Sequence, residues 1–139
     1  MIGLIEPADL PDIEEVIVQW LLTLPALAGV QIGTRVPTDY NGSQSVVRVV
    51  RLGGSTDFLM WSDNPRLDID CFGPDKATAF NLTRIVRRAL AFDIRFADLS
   101  SFGACVTSVN EDVGPQWFDE EDYPNAGRYL TQISVMVHA

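Results

Sequence analysis

The chain has 139 residues, 47% of them hydrophobic and 21% charged, which fits one globular domain and excludes a mainly disordered chain. Nineteen acidic against ten basic side chains give a formal charge of -9, so the mean field repels nucleic acid, anionic membrane and phosphorylated substrates. The opening MIGLIEPADLP has no basic n-region and no apolar run long enough for an h-region before Glu6, so it does not read as a signal peptide, and no apolar run approaches the length of a membrane span.

Without a secretory signal, Cys71 and Cys105 read as two buried thiols, and the sequons at Asn41 and Asn81 as coincidence. The first periodic segment, about Leu10 to Leu24, places Ile13, Val16, Ile17, Trp20, Leu21 and Leu24 along one side of a helix. Asp9 is its expected cap and Pro25 its end; Val18 and Leu22 widen the apolar surface, so cover on two sides is expected. Val30 to Val36 reads as a strand and Asp39 to Gly42 as the following turn, because Asn-Gly tolerates positive φ. Ser45 to Leu52 is a second strand with valines on both faces and Arg48 and Arg51 pointing oppositely.

Gly53 to Pro65 reads as a loop carrying Phe58, Met60 and Trp61, large side chains of the kind that bury at interfaces or fold back on a core. Arg66 to Phe72 is the clearest strand, with Leu67, Ile69 and Cys71 on one face and Arg66, Asp68 and Asp70 on the other. The Gly73-Pro74-Asp75 turn feeds a second helix, Lys76 to about Ala91, whose core stripe is Ala79, Leu82, Ile85, Val86, Ala89 and Leu90. Arg84, Arg87 and Arg88 cluster toward its C-terminus, where the helix dipole favours cations. Ala104 to Val109 and Arg128 to Val137 read as two further strands joined by a long acidic excursion, Asn110 to Gly127. This segment holds Trp117, Phe118, Asp119, Glu120 and Glu121, two aromatics inside a run of charge that would otherwise be a solvated surface.

The expected fold is therefore an α/β (α+β) domain spanning 1–139: a mixed or antiparallel sheet of about four to five strands packed against two main helices, with long inter-strand loops. Catalytic chemistry finds little support. His138 is the lone histidine, and no CxxC pair, HExxH, calcium loop or phosphate-binding glycine loop is present. Asp68 and Asp70, two residues apart on one strand face, are the best candidate metal pair, although Arg48 or Arg66 would explain the same spacing as ion pairs. The arginines of the second helix and the acidic excursion form complementary patches that could meet on neighbouring copies, closing a ring or growing a filament.

Four stretches together resemble the tail terminator (tail completion) family of long-tailed bacteriophages, in particular those of phages infecting actinobacteria. They are the helix around Asp12 to Leu24, the strand Val46-Val47-Arg48-Val49-Val50-Arg51, the Arg66 to Gly73 strand running into the Ala77 to Leu90 helix, and the closing Arg128 to Val135 strand. The resemblance implies a structural virion protein without active site or cofactor. It would form a ring, commonly of six subunits, that caps the tail tube, stops its polymerisation and offers a joining surface to the head connector. It also implies assembly in the host cytoplasm, a final place at the tail-to-head junction, and DNA passing the lumen without specific binding. On that reading, Phe58, Met60, Trp61, Arg84, Arg87, Arg88, Trp117, Phe118, Asp119, Glu120 and Glu121 are the candidate interface residues. A head-completion or connector protein and another minor tail protein are alternatives of the same class; a small metal-dependent enzyme using Asp68 and Asp70 is one of a different class.

Overall fold

The computed structural model describes residues 9–56 and 62–139. The expected loop contacts Phe58, Met60 and Trp61 lie outside the described residues. In chain order the elements are α1 (Ile13–Leu22), β1 (Gln31–Gly33), β2 (Val46–Thr56), β3 (Ser62–Gly73), α2 (Lys76–Ala91), β4 (Cys105–Asp119) and β5 (Gly127–His138). Short 3-10 turns occur at Pro25–Leu27, Asp93–Phe96 and Ser100–Phe102. The strands form one five-stranded sheet in the order β1-β2-β3-β5-β4. β1 runs parallel to β2 and every other neighbouring pair is antiparallel. The expected α+β fold, with a mixed sheet against two main helices, is what the chain adopts.

Both helices cover the same sheet face, α1 over β1 and β2, α2 over β3, β5 and β4. The alternation of the strands decides which face that is: Val47 and Val49, Leu67, Ile69 and Cys71, and Ile133, Val135 and Val137 point inward to a core completed by Ile13, Ile17, Leu21, Val86 and Leu90. Each such side chain contributes about 1.5–3 kcal/mol on burial. Val18 joins this core while Leu22 is half exposed, so the second apolar side of α1 is covered only in part.

Local chemistry sets the helix ends, with one correction. Asp12 rather than Asp9 caps α1: its Oδ1 accepts from the backbone N–H of Glu14 at 3.1 Å and of Glu15 at 3.4 Å. Pro11 lies just outside the helix, and Asp12 holds the extended conformation that a cap requires. Asp75 caps α2 by accepting from Thr78 N–H at 2.7 Å. Gly73 lets α2 approach the sheet, since a Cβ there would sit 2.8 Å from the Ala79 nitrogen.

The strands are longer than the sequence reading gives them. β2 continues to Thr56 and β3 begins at Ser62, because Gly53 and Gly54, at φ +80° and +108°, supply a bulge between Arg51 and Gly54 after which pairing resumes. Arg51 bridges this irregularity, its guanidinium donating at 2.6 and 2.8 Å to the two oxygens of buried Asp63. That pairing raises the Arg51 pKa. The excursion expected from Asn110 to Gly127 is mostly strand: β4 runs to Asp119 and only 120–126 turns back. Gly114, Pro115 and the acids read as loop, but β4 is an edge strand whose bulges at 111–113 and 113–116 accommodate them. β1 is shorter than expected and ends at Gly33, with three pairs to β2.

Cys71 and Cys105 are both free thiols, Cys71 buried and Cys105 exposed, so the expectation of two buried thiols holds only for Cys71. Cys105 opens the edge strand β4, where among the described residues it stays exposed.

Candidate interaction surfaces

On the face away from the helices, three strands bring charge together. Asp70, 2% exposed, accepts on Oδ2 from Arg48 Nε and Nη2 at 3.0 and 2.7 Å, and on Oδ1 from Arg128 Nε at 2.9 Å. Both guanidinium groups also stand over the Phe72 ring, at 5.5 and 5.9 Å from its centroid. Asp68 accepts from Gln132 Nε2 at 3.0 Å, and Asp112 accepts a hydrogen bond from Ser134 Oγ. The Asp68–Asp70 metal site is thereby corrected: the two do share a face, but Asp70 has both oxygens committed to arginine from neighbouring strands. Among the described residues no group of three or more His, Cys, Asp and Glu side chains could hold a metal ion.

The far end of the β4–β5 hairpin carries the acidic and aromatic residues singled out by sequence, but it separates them. Trp117 lies opposite Tyr129 and Phe118 opposite Arg128 in register, so the two aromatics occupy opposite faces. Trp117 is half buried on the helix side, with its ring 5.1 Å from Tyr129, Lys76 Nζ 5.8 Å above it, and Nε1 donating to Asp119 at 2.7 Å. Its indole lies across Gly127, where a Cβ would approach Trp117 to 2.6 Å and the Phe118 carbonyl oxygen to 2.3 Å. Phe118 is 40% exposed under Arg128, at 5.0 Å.

The turn beyond is anchored. Glu120 N–H donates to Ala126 O at 2.9 Å, Asn125 takes φ +72°, and Tyr123 Oη donates to Tyr40 O at 3.1 Å. Gly42, at φ +86°, admits the Tyr123 ring, which a Cβ would meet at 2.6 Å. The Tyr40 ring meets both Phe72 and Tyr123 edge-on at 5.7 Å. Burial, with help from the Glu120 charge, pushes the Tyr40 phenol pKa up. Asp119, Glu121 and Asp122 are exposed and Glu120 half buried; none forms an ion pair among the described residues.

The arginines of α2 do not act as one cluster. Arg87 pairs with Glu111 of β4 at 2.9 Å within the chain, whereas Arg84 and Arg88 are exposed and form no ion pair among the described residues. Glu111 is thus spent on its own helix. Below this pair a cavity of about 20 Å³ lies between α2 and the sheet, lined in part by Cys71, Thr83 and Thr131. Burial pushes the Cys71 thiol up to about 12, which removes it as a nucleophile near neutral pH. His138, the lone histidine, ends β5 opposite Cys105, with Thr107 Oγ1 3.4 Å from Nε2 and, among the described residues, no carboxylate hydrogen-bonded to the ring.

Sequence reasoning passed over one surface. Past α2, Phe92 and Phe96 are 52% and 74% exposed, with rings 5.2 Å apart. Arg95 stands 5.5 and 5.8 Å from their centroids. The available signal was apolar residues beyond the end of the core stripe, at positions no strand or helix pattern claims.

A family model described as phage tail termination protein matches residues 9–124 of the chain. No curated protein matches it.

Proposed function

The chain belongs to the phage tail termination protein family, and from that premise we propose that it acts as one closed ring, of six subunits by the resemblance, seated on the last ring of tail-tube protein. As a tail terminator it is a structural virion protein and not an enzyme. The ring occupies the surface on which the next tube ring would add, so growth stops by steric exclusion. Its outer side joins the head connector. The family match over 9–124 carries this reading.

The hairpin end supports it as a docking element. Phe118 is 40% exposed, so covering it completely is worth about 1 kcal/mol, and it lies near acids that form no ion pair among the described residues. Phe118 takes the anchoring role that Trp117 cannot fill while packed on Tyr129 and Lys76. Phe58, Met60 and Trp61 are proposed as tube or neighbour contacts by residue type alone. The formal charge of -9 lets DNA pass the lumen without adhesion.

Cryo-electron microscopy of the protein mixed with purified tail tubes of its own phage tests the reading. One ring at a single tube end is the expected result. Density along the tube, or on a head connector with none at tube ends, would replace termination by a tube or connector role.

A further inference from the structure

The aromatic surface at the end of α2 belongs to a longer stripe. Arg84, Arg88 and Phe92 follow one another at four-residue steps on the exposed side of the helix, and the chain then turns through Arg95 and Phe96. Ten basic side chains are present, and five of them, Arg48, Arg51, Arg66, Arg87 and Arg128, are ion-paired within the chain. Of the rest, Arg84, Arg88 and Arg95 all lie on this stripe. The acids next in sequence, Asp93 and Asp98, form no ion pair with these arginines among the described residues, and Asp98 instead accepts from the backbone N–H and hydroxyl of Ser100 at 3.0 and 2.6 Å. In so acidic a chain, the stripe is an unsatisfied cationic and aromatic surface of the composition that dominates interface energetics.

Its complement is on the same molecule at the other pole. The register Gly73↔Gly127 places the acidic turn 120–126 at the end of the sheet where α2 starts. The 16 residues of α2 then rise about 24 Å away from it. Stripe and turn therefore cannot meet within one chain. We propose that the Arg84–Arg88–Phe92–Arg95–Phe96 stripe of one copy receives the acidic turn around Glu121 and Asp122 of the next. Because the two surfaces differ and lie at opposite ends, the contact is heterologous and repeats from copy to copy, which closes a ring where the rotation allows. This rests on the ring reading and names the surfaces that would build it.

Charge exchange tests it. One variant carries Glu121→Arg with Asp122→Arg, a second carries Arg88→Glu with Arg95→Glu, and all four positions are exposed, so circular dichroism should match the parent. Rings are counted at purified tube ends and by light scattering in solution. Each variant alone should form at least about tenfold fewer rings than the parent. Their equimolar mixture should recover rings of alternating composition, since each stripe then faces a turn of opposite charge. Phe96→Ala should weaken assembly without altering the charge pattern. Parent-like rings from both single variants would overturn the stripe-to-turn contact and leave the ring standing. Loss in both variants with no recovery on mixing would also overturn the contact. A parent that forms no ring, even on tube ends, would overturn the ring reading itself.

Discussion

Removing the Asp70 carboxylate tests whether the polar centre of the open face holds the sheet together. Asp70→Ala deletes the acceptor of three charge-assisted hydrogen bonds, at 2.7–3.0 Å, and leaves Arg48 and Arg128 facing each other over Phe72. Breaking a fully buried pair costs about 3–5 kcal/mol. Here the arginine side chains keep 30% and 31% exposure and can turn to water, which reduces the loss to about 2–4 kcal/mol. For 139 residues, an unfolding entropy of about 2.1 cal/mol/K per residue converts that to a fall of about 7–14 °C in Tm. Asp68→Ala is the control: it loses one hydrogen bond to Gln132, worth about 0.5–1 kcal/mol or 2–3 °C. Thermal unfolding followed by circular dichroism reads both. An Asp70→Ala protein melting no lower than Asp68→Ala would refute the argument. Replacing the trio together, Arg48→Met, Asp70→Leu and Arg128→Met, should recover most of the loss, because the desolvation cost disappears with the charges.

Gly127→Ala should destabilise by about 1–3 kcal/mol, since its Cβ meets the Phe118 carbonyl and the Trp117 ring; a parent-like Tm would show that the hairpin end yields freely. In the native protein at pH 8, iodoacetamide should modify Cys105 and spare Cys71, whose thiol is pushed up to about 12; mass spectrometry finding equal labelling would contradict the burial. Asp75 holds its carboxyl below the usual value of 3.8 through hydrogen bonds from Thr78 and Ala77. Its folded pKa is depressed, so the stability it contributes is fully present above the unfolded pKa and is lost as pH falls through the folded one. Asp75→Asn keeps a capping side chain without the charge. Its deficit in Tm at pH 7 should therefore shrink progressively below about pH 4, and a deficit constant down to pH 2 would count against a charged cap.

Sequence made visible whatever depends on one side chain pointing one way. Leu67, Ile69 and Cys71 alternate with Arg66, Asp68 and Asp70 because β3 has one face in the core, and that period survives in any register. The ends of elements were less legible where edge position changes the rules. Gly114 and Pro115 would break a central strand, yet on β4 they only shift its register. Trp117 and Phe118 looked like one aromatic patch in a loop; once the segment is strand, adjacency in sequence becomes opposition in space. The Asp70 clamp was out of reach because it joins residues 22 and 58 positions apart across three strands, and only strand order brings Arg128 beside Arg48. The Phe92, Arg95 and Phe96 surface went unread because it lies in a short turn with no period of its own.

The margins of the sheet bear on how one copy can meet another. Beyond its short partner β1, β2 has Glu14 accepting the Arg51 backbone N–H at 2.7 Å, so a carboxylate covers a donor that another strand would seek. On the opposite margin, β4 presents bulges, Pro115, Glu111 and Asp112 in place of a flat ladder. Both sides are thus poor templates for strand addition. Pairing of copies through their sheet edges is thereby disfavoured, which leaves contacts between copies to side-chain surfaces that fit in far fewer geometries than a backbone ladder does.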